Sequence, residues 1–395
     1  MSAITREVYE KNGGILQLIP TFVPRLFSSP GRRLRLAPDD YFALGTARGA
    51  IKERWFSSVI TANNGPLAAA DEGLSYVLYS AKKEDKLPLR DIVDEIGAPL
   101  IGSDLKEKYG TWPMYSKFFD YSVPLFHHLH LDFDAAQRID MLGKPEAYYY
   151  PPQYNNCAGS MPVTYFGFDP DCTKDQVRER LIAYTKGDNR ITELYRAYRI
   201  ELGTGWYTPP GVVHAPGSFL TYEPQWNSDV NSVYENIATG EVYNRDFLVE
   251  NLPANDQDNI DAIMDLMDWD ANTDPHYKKH YFRPPITERD EGSFIQKWVV
   301  YGNPYIGAKE LTVMPGQSIT IQDAGAYGCI LTQGHGKIGG YNCETAGMLR
   351  FGQLSADEFF VGHEAATQGV RITNDSLYEP LVMLKHFGPN HPDMP

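Results

Sequence analysis

Residues 117–150 read KFFDYSVPLFHHLHLDFDAAQRIDMLGKPEAYYY. An apolar, aromatic run leads into His127-His128-Leu129-His130. Side chains two positions apart on a β-strand share a face. His128 and His130 are therefore expected to project together, with His127 and Leu129 on the reverse. A Gly143-Lys144-Pro145 turn follows, and Glu146 opens a second strand-like run, Ala147 to Tyr150. A hairpin joining the two runs would gather two imidazoles and a carboxylate, the beginning of a site for zinc or an iron-like ion. Taken alone, an H-x-H pair in an aromatic strand reads first as two hydrogen-bonded surface imidazoles.

A second stretch shifts that reading. Residues 203–214, GTGWYTPPGVVH, set His214 just after a Pro-x-Gly turn, where a strand begins and the side chain can face inward. This G-x5-P-x-G-x2-H pattern resembles the second metal motif of the cupins, small β-barrels with a metal in the mouth. Together with H-x-H and the downstream carboxylate it implies four ligands: His128, His130, Glu146 and His214.

The chain has 395 residues, too many for one small barrel, so two domains or one large elaborated one are expected. With 42% hydrophobic and 13% aromatic residues it can bury a large core without disulfides, and its 26 tyrosines suit strands. The net charge of −15 argues against nucleic acid or an anionic membrane as partner, because both demand basic surface. A small anionic substrate stays open, since a pocket can be locally basic. Cys157, Cys172, Cys329 and Cys343 show no C-x-x-C spacing and read as free thiols in a reducing compartment. No apolar run approaches a membrane span, and the start MSAITREVYEKNGG lacks a secretory apolar core, so a cytoplasmic protein is expected.

Ile15 to Phe22 reads as a strand. Leu89, Ile92, Val93 and Ile96 give Pro88 to Leu100 the spacing of an amphipathic helix. Asp171 to Tyr198 reads as two helices, the first opened by a Thr173–Gln176 capping box and carrying Val177, Leu181, Ile182 and Tyr184 on its apolar face. Asn255 to Trp269 reads as an acidic helix. From Ser293 onward strands alternate with Pro/Gly turns, and residues 333–340, QGHGKIGG, form a Gly-rich hairpin. His335 and His363 in that half lack an H-x-H or a matching carboxylate and read as solvated side chains. The expected fold is mainly β: two jelly-roll barrels of cupin type with inserted α-helices. Residues 1–285 would form the metal-binding barrel, with insertions at about 171–200 and 255–270. Residues 286–395 would form a degenerate barrel that packs and buttresses.

Several short motifs carry a more specific likeness. Glu53-Arg-Trp55-Phe-Ser-Ser58, LRDIVDEIG from Leu89, KFFD from Lys117, H-L-H from His128, GKPE from Gly143, PPGVVHA from Pro209 and TYEPQWNSD from Thr221 follow in one order. This series resembles the class I phosphomannose isomerases over roughly residues 15–250, and loosely beyond. The resemblance implies an aldose–ketose isomerase, with mannose 6-phosphate to fructose 6-phosphate as the leading reaction and Zn2+ or another divalent ion as cofactor. It also places Lys117 and Lys144 near the substrate, although each alone reads equally as a surface lysine. Glu223 is a candidate polar group of the pocket, and Asp132 a partner that holds an imidazole by its other nitrogen. Tyr148 and Tyr150 share a face that either lines the pocket or packs.

The departures are as informative. His128 stands where the family usually has Gln, and Leu131 where it has Pro. The family's arginine in the segment after Ser-Asp is missing behind Ser228-Asp229, which makes Arg245 the nearest stand-in for a phosphate clamp. The partner implied is a small-molecule sugar or sugar phosphate; the oligomeric state is open. Isomerisation of an unphosphorylated sugar is the runner-up. Two readings from other classes stand beside it: a metal-dependent cupin oxygenase, betrayed by oxygen consumption, and a non-catalytic sugar-binding bicupin, which would bind sugars without interconverting them.

Overall fold

Pro20 decides how the chain starts. Proline has no N–H for a ladder, and the expected strand from Ile15 to Phe22 breaks there into two that join different sheets. Ile15–Ile19 pairs with Glu358–Val361, whereas Thr21–Arg25 pairs with Ala50–Phe56. The second of these is an edge strand, which is where Pro24 is tolerated. The computed structural model describes residues 2–80, 82, 84–156 and 161–395. Cys157 lies outside the described residues; Cys172, Cys329 and Cys343 are buried free thiols.

The fold is mainly β, two antiparallel jelly-roll barrels with inserted helices. In the first barrel, a seven-stranded sheet runs in the order Phe282–Arg283, Gly205–Thr208, Glu146–Tyr149, Thr221–Trp226, Met114–Phe119, Ala50–Phe56, Thr21–Arg25. A five-stranded sheet faces it: Tyr195–Arg199, Val163–Phe168, His214–Ala215, His128–Leu129, Ser232–Val233. Between the two sheets lies an aromatic core, with Phe119 against Tyr148, Tyr148 against Phe166, and Phe166 against Trp206 at ring separations of 5.6, 5.9 and 5.0 Å. The second barrel combines a nine-stranded sheet with a four-stranded one. Its nine-stranded sheet takes strands from both sides of residue 285, because Ile15–Ile19, Tyr76–Leu78 and Lys86–Pro88 extend it.

Period-two alternation sets what each barrel receives from the seven-stranded sheet. Glu53, Lys117, Phe119, Glu146, Tyr148 and Glu223 point into the first barrel. Their neighbours point the other way: Tyr149 donates to Glu310 at 2.8 Å, Tyr222 and Ser116 meet His386 at 3.0 and 2.8 Å, and Arg54 pairs with Asp357 and Glu358 at 2.7 and 3.1 Å. The sheet is thus buried on both faces, and the largest apolar cluster, holding Phe118, Tyr222, Ile330 and Leu384, fuses the barrels.

Leu89–Ile96 is a helix with Leu89, Ile92, Val93 and Ile96 buried, as the spacing predicts. The capping box at Thr173 and Gln176 opens the helix Lys174–Ile182 with Val177 and Leu181 inside, but Ile182 is 49% exposed because one step from Leu181 turns it outward. The expected second helix there is instead a short turn, Ile191–Leu194, and a strand, Tyr195–Arg199, paired with Val163–Phe168. The expected helix over 255–269 is cut into short pieces, Ile260–Met264 and Trp269–Asn272, each started by a side-chain cap from Asn259 or Asp268. No helix among the described residues is long and apolar enough to cross a membrane.

Candidate metal centre

His128 and His214 sit directly opposite each other on adjacent strands. Their rings are 4.3 Å apart, and His130, two residues further along, comes within 4.9 and 5.1 Å of them. His127 faces the other way, stacked on Tyr195 at 3.8 Å and bonded to Glu235 at 2.7 Å, as alternation requires. Gly211 makes the turn before His214 possible. Its φ is +81°, its N–H donates to the His130 carbonyl at 2.8 Å, and an added Cβ would meet the Asp268 backbone nitrogen at 2.9 Å.

Each imidazole is anchored through Nδ1 by a carbonyl: His128 by Phe126 at 3.0 Å, His130 by Val230 at 2.8 Å, His214 by Val212 at 2.8 Å. A carbonyl only accepts, so each Nδ1 carries the proton and each Nε2 is left with a lone pair. The three rings offer ligand atoms within 4.8 Å of one another. Glu146 meets them from the facing sheet, with Oε2 3.0 Å from His130 Nε2 and Oε1 3.0 Å from His214 Nε2. The expected hairpin is therefore corrected: the ligand strands belong to two opposed sheets, joined through the short helix Phe133–Gln137. Burial keeps His128 and His130 neutral. The pKa of His128 is pushed well down by burial and its two histidine neighbours, and that of His130 to about 3 by burial and then Lys144. Glu146 is ionised; burial opposes this, but Lys144 and His130 outweigh it. Three imidazoles that turn Nε2 inward and one carboxylate, with His214 Nε2 buried and without a hydrogen-bond partner, fit a divalent ion such as zinc.

Beside the histidines runs a chain of alternating charge. Lys144 Nζ lies 2.8 Å from Glu146, 3.0 Å from His130 Nε2 and 3.4 Å from Glu223. Lys117 stands 3.2 Å from Glu223 and 4.0 Å from Glu53. Arg25 completes the row with a bidentate pair to Glu53, both bonds 3.0 Å, and a 2.9 Å bond to Asp229. Tyr121 and Trp55 also donate to Glu53, at 2.8 and 2.9 Å. Burial would raise the Glu53 carboxyl, but Arg25 and Lys117 hold it below the ordinary range. Glu223 moves the opposite way: burial and then the Glu146 charge push it up to about 8.

The structure thus brings together His128, His130, Glu146, Lys117, Lys144 and Glu223 around one cavity that Tyr148 also lines, with His214 beside it against His128 and Glu146. Arg245 is not among them. Its guanidinium is tied to Asp258 at 3.2 Å and to the Gln257 carbonyl at 2.6 Å, so the expected phosphate clamp is corrected. Asp132 holds no imidazole either; it caps Phe133–Gln137 by accepting from the Ala135 N–H at 2.7 Å. Tyr150 is buried in the aromatic core. His335 is exposed on the His335–Ile338 strand, and His363 is the first residue of a short helix, His363–Gln368. Sequence reasoning missed Arg25 and Asp229. Glu53 was on view in its E-x-W motif, whereas Arg25 had no pattern around it.

No protein-family model and no curated protein sequence matches the chain. Solved structures do match. A mannose 6-phosphate isomerase from Bacillus subtilis aligns with a TM-score of 0.60 at 16% identity, over 94% of this chain and 99% of its own. A phosphomannose isomerase variant from Salmonella typhimurium aligns with a TM-score of 0.61 at 10% identity, over 95% and 99%. A mannose 6-phosphate isomerase bound with zinc and yttrium aligns with a TM-score of 0.60 at 10% identity, over 95% and 99%. Over nearly its whole length, the chain has the fold of the mannose-6-phosphate isomerases.

Proposed function

We propose that this chain is a metal-dependent aldose–ketose isomerase, with His128, His130, Glu146 and His214 holding one divalent ion, zinc first among candidates. The observation that carries the reading is the convergence of three Nε2 lone pairs and a buried carboxylate beside a carboxyl held between two lysines. When bound, the ion supplies Lewis-acid polarisation of a sugar carbonyl.

The protein's own groups would do the rest. Isomerisation moves a proton between adjacent carbons of an open-chain sugar, which needs a base of tuned pKa and donors where the oxyanion develops. Glu223 is the base in this reading, because its raised pKa lets it take a proton near neutral pH and return it. Cation binding at Glu146 would offset part of that rise and bring Glu223 nearer the working range. Lys117 and Lys144 donate to the sugar oxygens and hold Glu223 in position.

The substrate is a small sugar or sugar phosphate, the latter being what the names of the structural neighbours point to. Neither nucleic acid nor membrane is a partner, given the −15 charge, and the setting is cytoplasmic. The division at 285/286, with chemistry on the N-terminal side and a buttress behind, belongs to the same proposal. The test is to load the purified protein with zinc, manganese or cobalt, incubate it with a panel of aldoses and their 6-phosphates, and follow products by NMR. Fully loaded protein that interconverts none of them would end the isomerase reading.

A further inference from the structure

We infer that the sugar bound in this cavity is unphosphorylated: the arginine fork on its wall is already filled by two buried carboxylates, so the site selects a neutral open-chain sugar over the phosphate. The inference rests on the isomerase reading for its reaction, but its argument is one of charge and hydrogen bonds.

A phosphate monoester brings about two negative charges near neutral pH. A site for it needs unengaged arginine forks, lysines or a helix N-terminus. Arg25 offers the one fork on the cavity wall, and it is filled. Nε and Nη2 go to Glu53, Nη2 also to Asp229, and Nη1 to the Asn63 carbonyl at 3.3 Å. Both carboxylates are more than nine-tenths buried, with side chains 4% and 8% exposed, so water screens their charges little. Lys117 lies between Glu223 and Glu53, and Lys144 between Glu146 and Glu223. The lining side chains therefore set three cations, Arg25, Lys117 and Lys144, against the carboxylates Glu53, Glu146 and Asp229, with Glu223 beside them, and leave no surplus of positive charge to draw a phosphate. A phosphate approaching Arg25 would have to displace Asp229 or lie against it. Like charges at that range cost more than the remaining donors return.

The rest of the wall gives a phosphate nothing else. Among the described residues, all those lining the cavity come from strands and loops, and no helix N-terminus is one of them. Phe27, Tyr121, Leu125, Phe126, Tyr148 and Pro216 supply an apolar and aromatic side. Such a surface suits the C–H face of a sugar, with the charged row left to orient hydroxyl groups.

The experiment compares D-mannose, D-glucose and D-allose with their 6-phosphates on metal-loaded protein. Equilibrium binding is measured by calorimetry, and turnover separately by NMR. The expected result is that at least one free sugar binds and is favoured over its 6-phosphate by about tenfold or more, the worth of one lost charge-assisted hydrogen bond. Asp229→Asn, which releases one partner of Arg25, should shift that preference toward the phosphate by about the same factor. Tighter binding of the phosphates, no binding of any free sugar, or an unchanged preference in Asp229→Asn would each overturn the inference. A free sugar that binds selectively but is never interconverted would leave the inference standing and remove the isomerase reading.

Discussion

His214 Nε2 and Glu146 Oε1 lie 3.0 Å apart with a lone pair on each. The ring's proton is on Nδ1, committed to the Val212 carbonyl at 2.8 Å, so acceptor faces acceptor in the buried interior of the barrel. A cation between them relieves this. Purified protein should carry close to one equivalent of divalent ion per chain, and His214→Ala or His130→Ala should lose most of it by elemental analysis. Adding zinc back to chelated protein should raise its stability by about 3 kcal/mol at a hundredfold excess over the dissociation constant. Full metal retention in both variants would sink the assignment.

Glu223→Gln keeps the shape of the side chain and removes its basicity. We expect kcat to fall by about 10²–10⁴-fold, the usual worth of a general base. Metal content should stay near that of the parent, since Glu223 is not among the four ligands. Unchanged kcat with full metal loading would take Glu223 out of the base role.

Two histidines make the metal-free protein acid-sensitive. His128 and His130 have folded pKa values lowered by burial, His130 to about 3, against about 6.5 in the unfolded chain. The unfolded state therefore binds more protons below pH about 6.5, and stability falls as pH drops from there toward the folded values. Glu53 adds a second decline: its folded pKa is depressed, so its stabilisation is present above about pH 4.3 and fades below that. Glu223 and Glu358, raised to about 8, oppose this trend over the same span, so the histidine term is read in apo-protein carrying Glu223→Gln and Glu358→Gln, whose denaturation midpoints should fall between pH 7 and 4.5. A flat profile over that span would show that the histidines are not held neutral.

Arg245→Ala should leave turnover nearly unchanged and stability within about 0.5 kcal/mol, because its ion pair with Asp258 is solvent-exposed and outside the cavity. Arg25→Ala should behave differently, stranding Glu53 and Asp229 with a loss of about 3–5 kcal/mol. Paired denaturant titrations compare the two. Equal effects would mean that the cavity charges are not coupled as described.

At the barrel junction, Arg54 is 1% exposed between Asp357 and Glu358. Arg54→Ala leaves two buried carboxylates facing each other and should cost about 3–5 kcal/mol. Burial raises Glu358 to about 8, which lets it protonate and limits the damage at lower pH. The destabilisation of Arg54→Ala should thus be larger at pH 9 than at pH 6.5. The reverse order would reject this account of the junction.

How much of this was legible follows from the range of each cause. His128, His130 and His214 were readable because strand alternation and a Pro-x-Gly turn are local, and Glu146 because it opens a strand. Which sheet each strand enters is not local, so the histidines and Glu146 read as one hairpin when they face each other across a barrel. Tyr195–Arg199 was read as helix because its Tyr-Arg-Ala-Tyr-Arg text fits both periods until Val163–Phe168 pairs with it. Arg25 was invisible, since Asp229, 204 positions away, is what gives it a role. Arg245 was chosen by nearness in sequence, which says nothing about where a guanidinium ends up.

The break at Pro20 also has a bearing on how the molecule comes into being. Ile15, Leu16 and Gln17 find their partners in Val361, Phe360 and Phe359, so one edge of the first strand stays open until residues 359–361 have been made. At ordinary translation speeds that is a wait on the order of twenty to seventy seconds. A ribosome-bound chain halted before Glu358 should therefore leave Ile15–Ile19 open to protease, and release of the remaining residues should close it. Arg25, six positions beyond Ile19, lies on the same short segment, so late closure of one barrel governs when the other's charged row can settle.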